Sequence, residues 1–468
     1  MNLMENINKI LFKIIQSWFT KDSKINSTEE ILYWINMRNS GLYVQIKQCN
    51  LSDSSFWFYD DKNGIIRNRN NSFFYITGLK ESVFHANKKL IIEQPVIVQN
   101  EIGYLGIICK DFDGVMHFLM QAKVEPGNIN KIQLSPTIQA TKSNFTQKHG
   151  GNKPAYIDYF LEADKHTVIV DQIQSEQSSR FYKKRNRNII IYVEDDIEVL
   201  PSYKWMTLGQ IKSLMAVDNL VNMDTRTVLS CIPFYSIEYA LKENEELKNL
   251  FHDKTLFASI FNNDEIDITK IYNKINNHKM FSDVESEFVK LTDLQNWIIS
   301  NKEIKCIYPY PYKVIFCNIA IEGREVREWT QPLFAAEGQA LFGLFIRENN
   351  NKKEFLVKIK HEIGCFDIVE LAPTVQLETI HLEPLDSIEN LFNEKLKNND
   401  GVLFDHYLSE EGGRFYHEEN RNVLIVLNKN EIDYLPEEYM WLDFKTLNYL
   451  VQFNNVLNIQ LRNLLALL

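Results

Sequence analysis

Lys123 and Glu125 stand two residues apart at the end of an apolar run, and Lys360 and Glu362 repeat that spacing 237 residues later. On an extended strand, residues i and i+2 leave the same face, so each pair presents a cation beside a carboxylate. Such a pair suits a ligand that carries charge and has protons to exchange, although a surface ion pair kept in both places would look the same. Polar residues crowd in behind the first pair: L-S-P-T-I-Q-A-T-K-S-N-F-T over 134–146, then His149-Gly150-Gly151. Behind the second pair comes L-A-P-T-V-Q-L-E-T over 371–379. Loops set on strand ends are where a scaffold holds ligands. A second constellation is S-E-Q-S-S-R-F-Y-K-K-R-N-R-N, residues 175–188, answered by S-E-E-G-G-R-F-Y-H-E-E-N-R-N, residues 409–422. Arg180, Arg187, Arg414 and Arg421 can fork onto phosphate oxygens, and Lys183, Lys184 and Arg185 add charge in the first segment alone. The plain alternative is a solvated basic loop. Trp57 and Trp297 occupy matching places and suit either a core or a platform for a flat base.

These matches belong to one long repeat. Gln94-Pro95 recurs as Gln331-Pro332, and the same shift carries 94–141 onto 331–378 without a gap. The echo resumes at a shift of 234, where Arg180-Phe181-Tyr182 answers Arg414-Phe415-Tyr416. A duplication of this length makes the chain two copies of one domain, 1–235 and 236–468. At 468 residues, 45% hydrophobic and 12% aromatic, each copy can bury a core of its own. The net charge of −11 argues against a nucleic-acid or anionic-membrane surface and requires local Arg and Lys for any anionic ligand. Cys49, Cys109, Cys231, Cys306, Cys317 and Cys365 are scattered, as in a reducing compartment. No apolar run reaches membrane-span length. Ile7, Ile10, Leu11, Ile14, Ile15 and Trp18 mark an amphipathic helix that packs on a domain or partner subunit, and a cytoplasmic protein is expected.

The elements that must position the chemistry follow from pattern. Ser27-Thr28-Glu29-Glu30 is a capping-box start for a helix to about Met37. Strands are expected at 73–76, 95–98, 104–108 and 117–122, with Asp111–Gly114 as hairpin turn, then at 167–171 and 188–193. The second copy repeats them at 314–319, 333–335, 341–346 and 354–359, with a turn at Asn349–Lys352, then at 402–406 and 422–427. Each copy closes with a helix, 208–232 and 444–468, carrying Arg226 and Arg462 at matching places, and 236–295 reads as bridging helices. The fold class is α+β, a duplicated mixed-sheet domain with flanking helices, its copies related by a pseudo-twofold. Rossmann, Walker and zinc-protease signatures are absent, so any chemistry should manage with side chains.

The chain resembles the NDP-hexose 2,3-dehydratases. The resemblance rests on Gln121-Ala122-Lys123 with Glu125-Pro126-Gly127, and on Leu134 through Asn144 with His149-Gly150-Gly151. In the second copy it rests on Arg324-Glu325-Val326 with Trp329 and Gln331-Pro332, and on Ser409 through Tyr416. It implies tandem Nudix-like domains, usually assembled as a homodimer, although the Nudix hydrolase signature itself is missing. It further implies removal of water across C2–C3 of dTDP-4-keto-6-deoxyglucose without a cofactor or metal, because the substrate's own C4 ketone is the electron sink. The unstable product would pass to an NADPH-dependent 3-ketoreductase. A non-catalytic sugar-nucleotide binding protein and a divergent Nudix hydrolase are the alternatives.

Carried over residue by residue, the resemblance suggests Trp57, Thr141, Lys142, Ser143, Asn144 and Ser178 for a first pocket, with Arg180 as a further substrate contact. For a second pocket it suggests Trp297, Lys360, Gln376, Glu378, His381 and Arg414, with Asn454 and Asn455. For acid–base work the expectation is Glu362 or Glu410 as base, Lys360 near the enolate oxygen, and Tyr416 or His417 as proton donor. Phe145 replaces a common Tyr, and Asn87-Lys88-Lys89 stands opposite Arg324-Glu325-Val326, so the copies have diverged. Two nucleotide-sugar pockets per chain are expected, with the chemistry in the second.

Overall fold

The structure, a computed structural model, describes residues 3–85, 88–145, 153–237, 245–322, 326–380, 385–428 and 431–468. Each copy builds the same seven-stranded mixed sheet. In the first, Thr167–Ser175, Arg185–Tyr192, Gly103–Phe112, Val115–Val124 and Tyr203–Thr207 lie side by side, with Ile132–Ser135 and Ile138–Ala140 attached. In the second, Val402–Ser409, Glu419–Val426, Leu341–Asn349 and Lys352–His361 follow in the same order, with Val369–Pro373, Val375–Leu377 and Tyr439–Asp443 attached. One pairing in each is parallel, Arg185–Tyr192 on Gly103–Phe112 and Glu419–Val426 on Leu341–Asn349. These central strands are buried on both faces, which is why Ile189-Ile190-Ile191 and Val423-Leu424-Ile425 are unbroken apolar runs. The expected strands are present and most extend further than pattern alone marks them, though the one expected at 73–76 starts only at Tyr75, after a left-handed Phe73, and the hairpin turns carry positive φ at Asp113, Gly114, Asn350 and Asn351.

Two smaller sheets join the copies by exchanging strands. Val44–Gln48 of the first copy pairs antiparallel with Tyr312–Ile321 of the second, and Asp283–Val289 of the second pairs with Tyr75–His85 of the first. Other bonds recur at matching places, some within each copy and some between them. Ile97 N–H donates to the Arg180 carbonyl and Phe334 N–H to the Arg414 carbonyl, both at 2.9 Å. Arg226 Nη2 donates to the Ser409 carbonyl at 2.7 Å, and Arg462 Nη2 to the Ser175 carbonyl at 2.5 Å. Phe181 and Phe415, matching residues, meet edge-to-face at 5.5 Å. Matching residues of the two copies thus make matching bonds. The largest hydrophobic cluster draws on both copies and on helix Leu3–Phe19, whose Ile10, Leu11, Ile14, Ile15 and Trp18 are buried. Each contributes roughly 1.5–3 kcal/mol. The Ser27 capping box forms as expected and opens helix Thr28–Gly41. Among the described residues no helix is long and apolar enough to cross a membrane, and all six cysteines are free thiols.

Two expectations need correction. Each closing helix breaks in two, Leu208–Leu214 with Met223–Ser230 and Phe444–Leu450 with Ile459–Leu465. Asn219 and Asn455 turn left-handed in the breaks, and Asn222 and Asn458 then cap the new helices. The stretch 236–295 holds helices Glu245–Leu250, Lys254–Phe261 and Ile268–Met280, but ends in strand Asp283–Val289. That strand lies at a sheet edge with an exposed, charged face, which hides its period.

The two copies approach closely at Gly127, where an added Cβ would lie 1.6 Å from the Phe415 carbonyl oxygen. Gly127→Ala should therefore lower stability by about 1–3 kcal/mol in urea denaturation. Gly41→Ala, at a helix end with nothing within 4 Å, should leave the midpoint unchanged or slightly raised.

Candidate active site

Each copy lends a loop to the other's strand-end polar pair. Gly127 N–H donates to the Gly412 carbonyl at 2.7 Å and the Gly127 carbonyl accepts from His417 N–H at 2.9 Å, seating 409–416 over Lys123 and Glu125. In the mirror arrangement Lys183 N–H donates to the Gly364 carbonyl at 2.8 Å, which seats 175–182 over Lys360 and Glu362. Both polar clusters are thus composites, each with its floor from one copy and its cover from the other.

The first composite surrounds a cavity of about 1060 Å³. Lys123 Nζ lies 3.0 Å from Glu125 Oε1 and also donates to the Gln139 carbonyl. The Glu411 carboxyl is hydrogen-bonded to that of Glu125 and accepts from Gly413 N–H at 2.9 Å. Burial, then the adjacent Glu125 carboxyl, push Glu411 up to about 8. Glu176 accepts from Asn186 Nδ2, and burial raises its pKa. Lys184 donates to the Glu101 carbonyl, and burial draws its ammonium down to about 8. Phe56, Trp57, Phe73, Phe74 and Trp329 supply aromatic wall. The Arg414 guanidinium stacks over Phe74 at 4.4 Å and lines the same cavity. Trp329 Nε1 donates to Gln331 Oε1, and Gln331 Nε2 to the Gly413 carbonyl, which ties the wall to the loop.

The second composite has the same backbone and turns its polar groups on one another. Arg180 is held at 3.3 and 3.4 Å by both oxygens of Glu378 and at 3.4 Å by Glu418, with its guanidinium 4.4 Å from the Tyr312 ring. Tyr310 and Tyr312 donate to Gln94 Oε1 and the Pro95 carbonyl, and Trp297 Nε1 donates to the Glu93 carbonyl. Lys360 donates to the Gln376 carbonyl, Gln376 to Glu362, and Asn458 to Gln376. The difference reduces to three exchanges in the repeat: Thr141 against Glu378, Lys184 against Glu418, and Glu411 against Gln177. In the second composite two carboxylates occupy Arg180, whereas at the first the matching places beside Arg414 hold a hydroxyl and an ammonium. An anionic ligand is accommodated far better by the first.

A family model described as NDP-hexose 2,3-dehydratase matches residues 28–232 and again 268–468. The chain belongs to this family. Three relatives named dTDP-4-dehydro-6-deoxy-alpha-D-glucopyranose 2,3-dehydratase agree. One from Saccharopolyspora spinosa is 35% identical over 94% of this chain and 90% of its own length. One from Amycolatopsis orientalis is 33% identical over 97% and 93%. One from Streptomyces violaceoruber is 34% identical over 95% and 97%.

Within this dehydratase framework the expected site residues fall in several places. Trp57, Thr141 and Ser143 line the cavity, and Ser143 is fixed by Glu101. Arg414 lines it as well, crossing from the second copy, and Ser178 and Arg180 cross the other way. Lys142 is exposed beside it, and the side chain of Asn144, like His149-Gly150-Gly151, Arg324, Glu325 and His381, lies outside the described residues. Lys360, Glu362, Gln376, Glu378 and Trp297 gather at the second composite. Glu410 is buried there, accepting from Gln177 and Asn420. Tyr416 and His417 stack on each other at 4.0 Å and stand apart from the cavity lining. Asn454 Oδ1 accepts from Ile173 N–H and Asn455 N–H donates to Gln174, both bonds between copies. Glu411, Glu176 and Asp224 were not among the expected residues. The repeat offset held a signal for Glu411, since it is the carboxylate that faces a glutamine in the other copy.

Arg414→Ala should weaken dTDP binding more than about tenfold by calorimetry, as loss of a charge-assisted contact implies. Arg180→Ala should leave dTDP affinity within about threefold while lowering the unfolding midpoint, because it takes the guanidinium away from the buried Glu418 carboxylate.

Proposed function

We propose that the chain is a sugar-nucleotide hydro-lyase that removes water across C2–C3 of dTDP-4-keto-6-deoxyglucose in the first composite cavity. The observation that carries this is the hydrogen-bonded Glu125–Glu411 carboxyl pair in a cavity with Arg414, Lys184 and an aromatic wall. Glu125, ion-paired to Lys123, takes the C3 proton that the C4 ketone acidifies. Glu411, protonated near neutrality, gives its proton to the C2 hydroxyl as the C2–O bond breaks and water leaves. The resulting enol loses its hydroxyl proton to Glu411 while Glu125 returns a proton to C2. Both carboxyls are then reset and a 3,4-diketo-2,6-dideoxy sugar remains. Arg414 and Lys184 would hold the diphosphate and the aromatic wall the thymine.

The same proposal includes a Nudix-like ancestry for both copies, divided near 235/236, assembly as a homodimer, and passage of the product to an NADPH-dependent 3-ketoreductase. The alternatives of binding without turnover and of Mg²⁺-dependent pyrophosphate hydrolysis give no use for a shared-proton carboxyl pair.

Coupled to a 3-ketoreductase and NADPH, the protein should consume NADPH on dTDP-4-keto-6-deoxyglucose. Glu411→Gln should cut kcat by about a hundredfold or more, while Glu362→Gln stays within about fivefold of wild type. Because the acid must carry its proton, kcat/KM should fall as pH rises through about 8 in the wild type. A flat profile to pH 9.5 would contradict the role given to Glu411.

A further inference from the structure

Among the cavity carboxyls that take no part in the proton transfers above are Glu176, which accepts from Asn186 Nδ2, and Asp224. Asp224, in the first turn of helix Met223–Ser230, is 1% exposed and lines the cavity, and its Oδ1 has no hydrogen-bond partner. A carboxylate in that position would be an uncompensated buried charge, which proteins avoid. The groups facing it from other elements are Lys123 and Glu125 at the strand end, Glu176 from the first copy's loop and Glu411 from the second copy's. Three of the four are acidic. Burial and then Glu176, Glu411 and Glu125 accordingly hold Asp224 well above the usual carboxylate range, only partly offset by Lys123. The matching residue of the second copy is Gln460, whose side-chain oxygen is likewise buried and unpartnered. The repeat thus places a neutral donor–acceptor at this position in both copies.

We propose that Asp224 is a catalytic residue that works as a neutral acid, its O–H donating a hydrogen bond to the substrate's C4 oxygen as that oxygen gains charge. This rests on the dehydratase reading and adds the group that stabilises the enolate. Removing the C3 proton puts negative charge on the C4 oxygen before the C2–O bond has broken. A donor fixed there beforehand lowers that barrier without moving a proton of its own. A carboxylic acid kept neutral by its surroundings is a strong donor of this kind. An ionised aspartate at the same point would repel the enolate.

The test separates donor from acid–base catalyst and from structural residue. Asp224→Asn keeps a neutral N–H donor of the same size and should retain kcat within about tenfold of wild type. Asp224→Ala should lose about a hundred- to a thousandfold in kcat with KM changed less than threefold. Exchange of the C3 proton with D₂O, followed by NMR without reductase, should persist in Asp224→Asn and vanish in Asp224→Ala. If Asp224→Ala does not fold, Asp224→Leu replaces it. Equal inactivity of a folded Asp224→Asn would overturn the proposal, and so would a fully active alanine or leucine variant. Wild-type protein that never exchanges or dehydrates the sugar would instead defeat the dehydratase reading on which this rests.

Discussion

Backbone bonds across the repeat fix everything else in this molecule. The Gly127 carbonyl receives His417 N–H, and the Gly364 carbonyl receives Lys183 N–H, so each copy closes the other's pocket. Neither glycine can carry a side chain there: a Cβ on Gly364, whose φ is +81, would meet the Ser178 and Phe181 carbonyl oxygens at 2.7 and 2.8 Å. Strand exchange and the buried Arg226 and Arg462 hold the same interface from behind. Removal of either copy would therefore open both pockets at once. The duplicated chain behaves as one unit with two unequal sites.

The inequality arises from side chains on a shared backbone. Glu378 and Glu418 place their carboxylates where a ligand's phosphates would otherwise meet Arg180. At the other pocket the same positions are Thr141 and Lys184, and Gln177 gives way to Glu411. These exchanges take two carboxylates away from the arginine and bring the Glu411 carboxyl beside that of Glu125. Buried Arg180 is compensated internally by Glu378 and Glu418, whereas the first cavity gathers Glu125, Glu176, Asp224 and Glu411 around Lys123, Lys184 and Arg414.

Much of this was legible in the sequence. The repeat marked the strands of both large sheets, because long apolar runs with Asp-Gly and Asn-Asn turns leave little ambiguity, but not the order in which they lie. The matched Lys–Glu pairs and Arg-Phe-Tyr segments did mark pocket residues. Their assignment to pockets was hidden, because Arg414 and Arg180 reach across to the other copy through contacts that no spacing reveals. Strand Asp283–Val289 was hidden by its exposed edge, and the breaks in the closing helices by single left-handed asparagines. Asp224 carried no mark in the sequence, falling inside the expected helix 208–232. Only its burial against three other acids distinguishes it.

The central claim is that the sugar is processed in the cavity floored by the first copy and covered by the second copy's 409–416 loop. A crystal structure of the Glu411→Gln variant with dTDP-4-keto-6-deoxyglucose bound tests it most directly. The sugar's C3 should lie within hydrogen-transfer reach of Glu125, with the diphosphate on Arg414 and Lys184 and the C4 oxygen toward Asp224. A sugar ring found instead between Glu362 and Glu410, with its diphosphate displacing Glu378 from Arg180, would contradict the account.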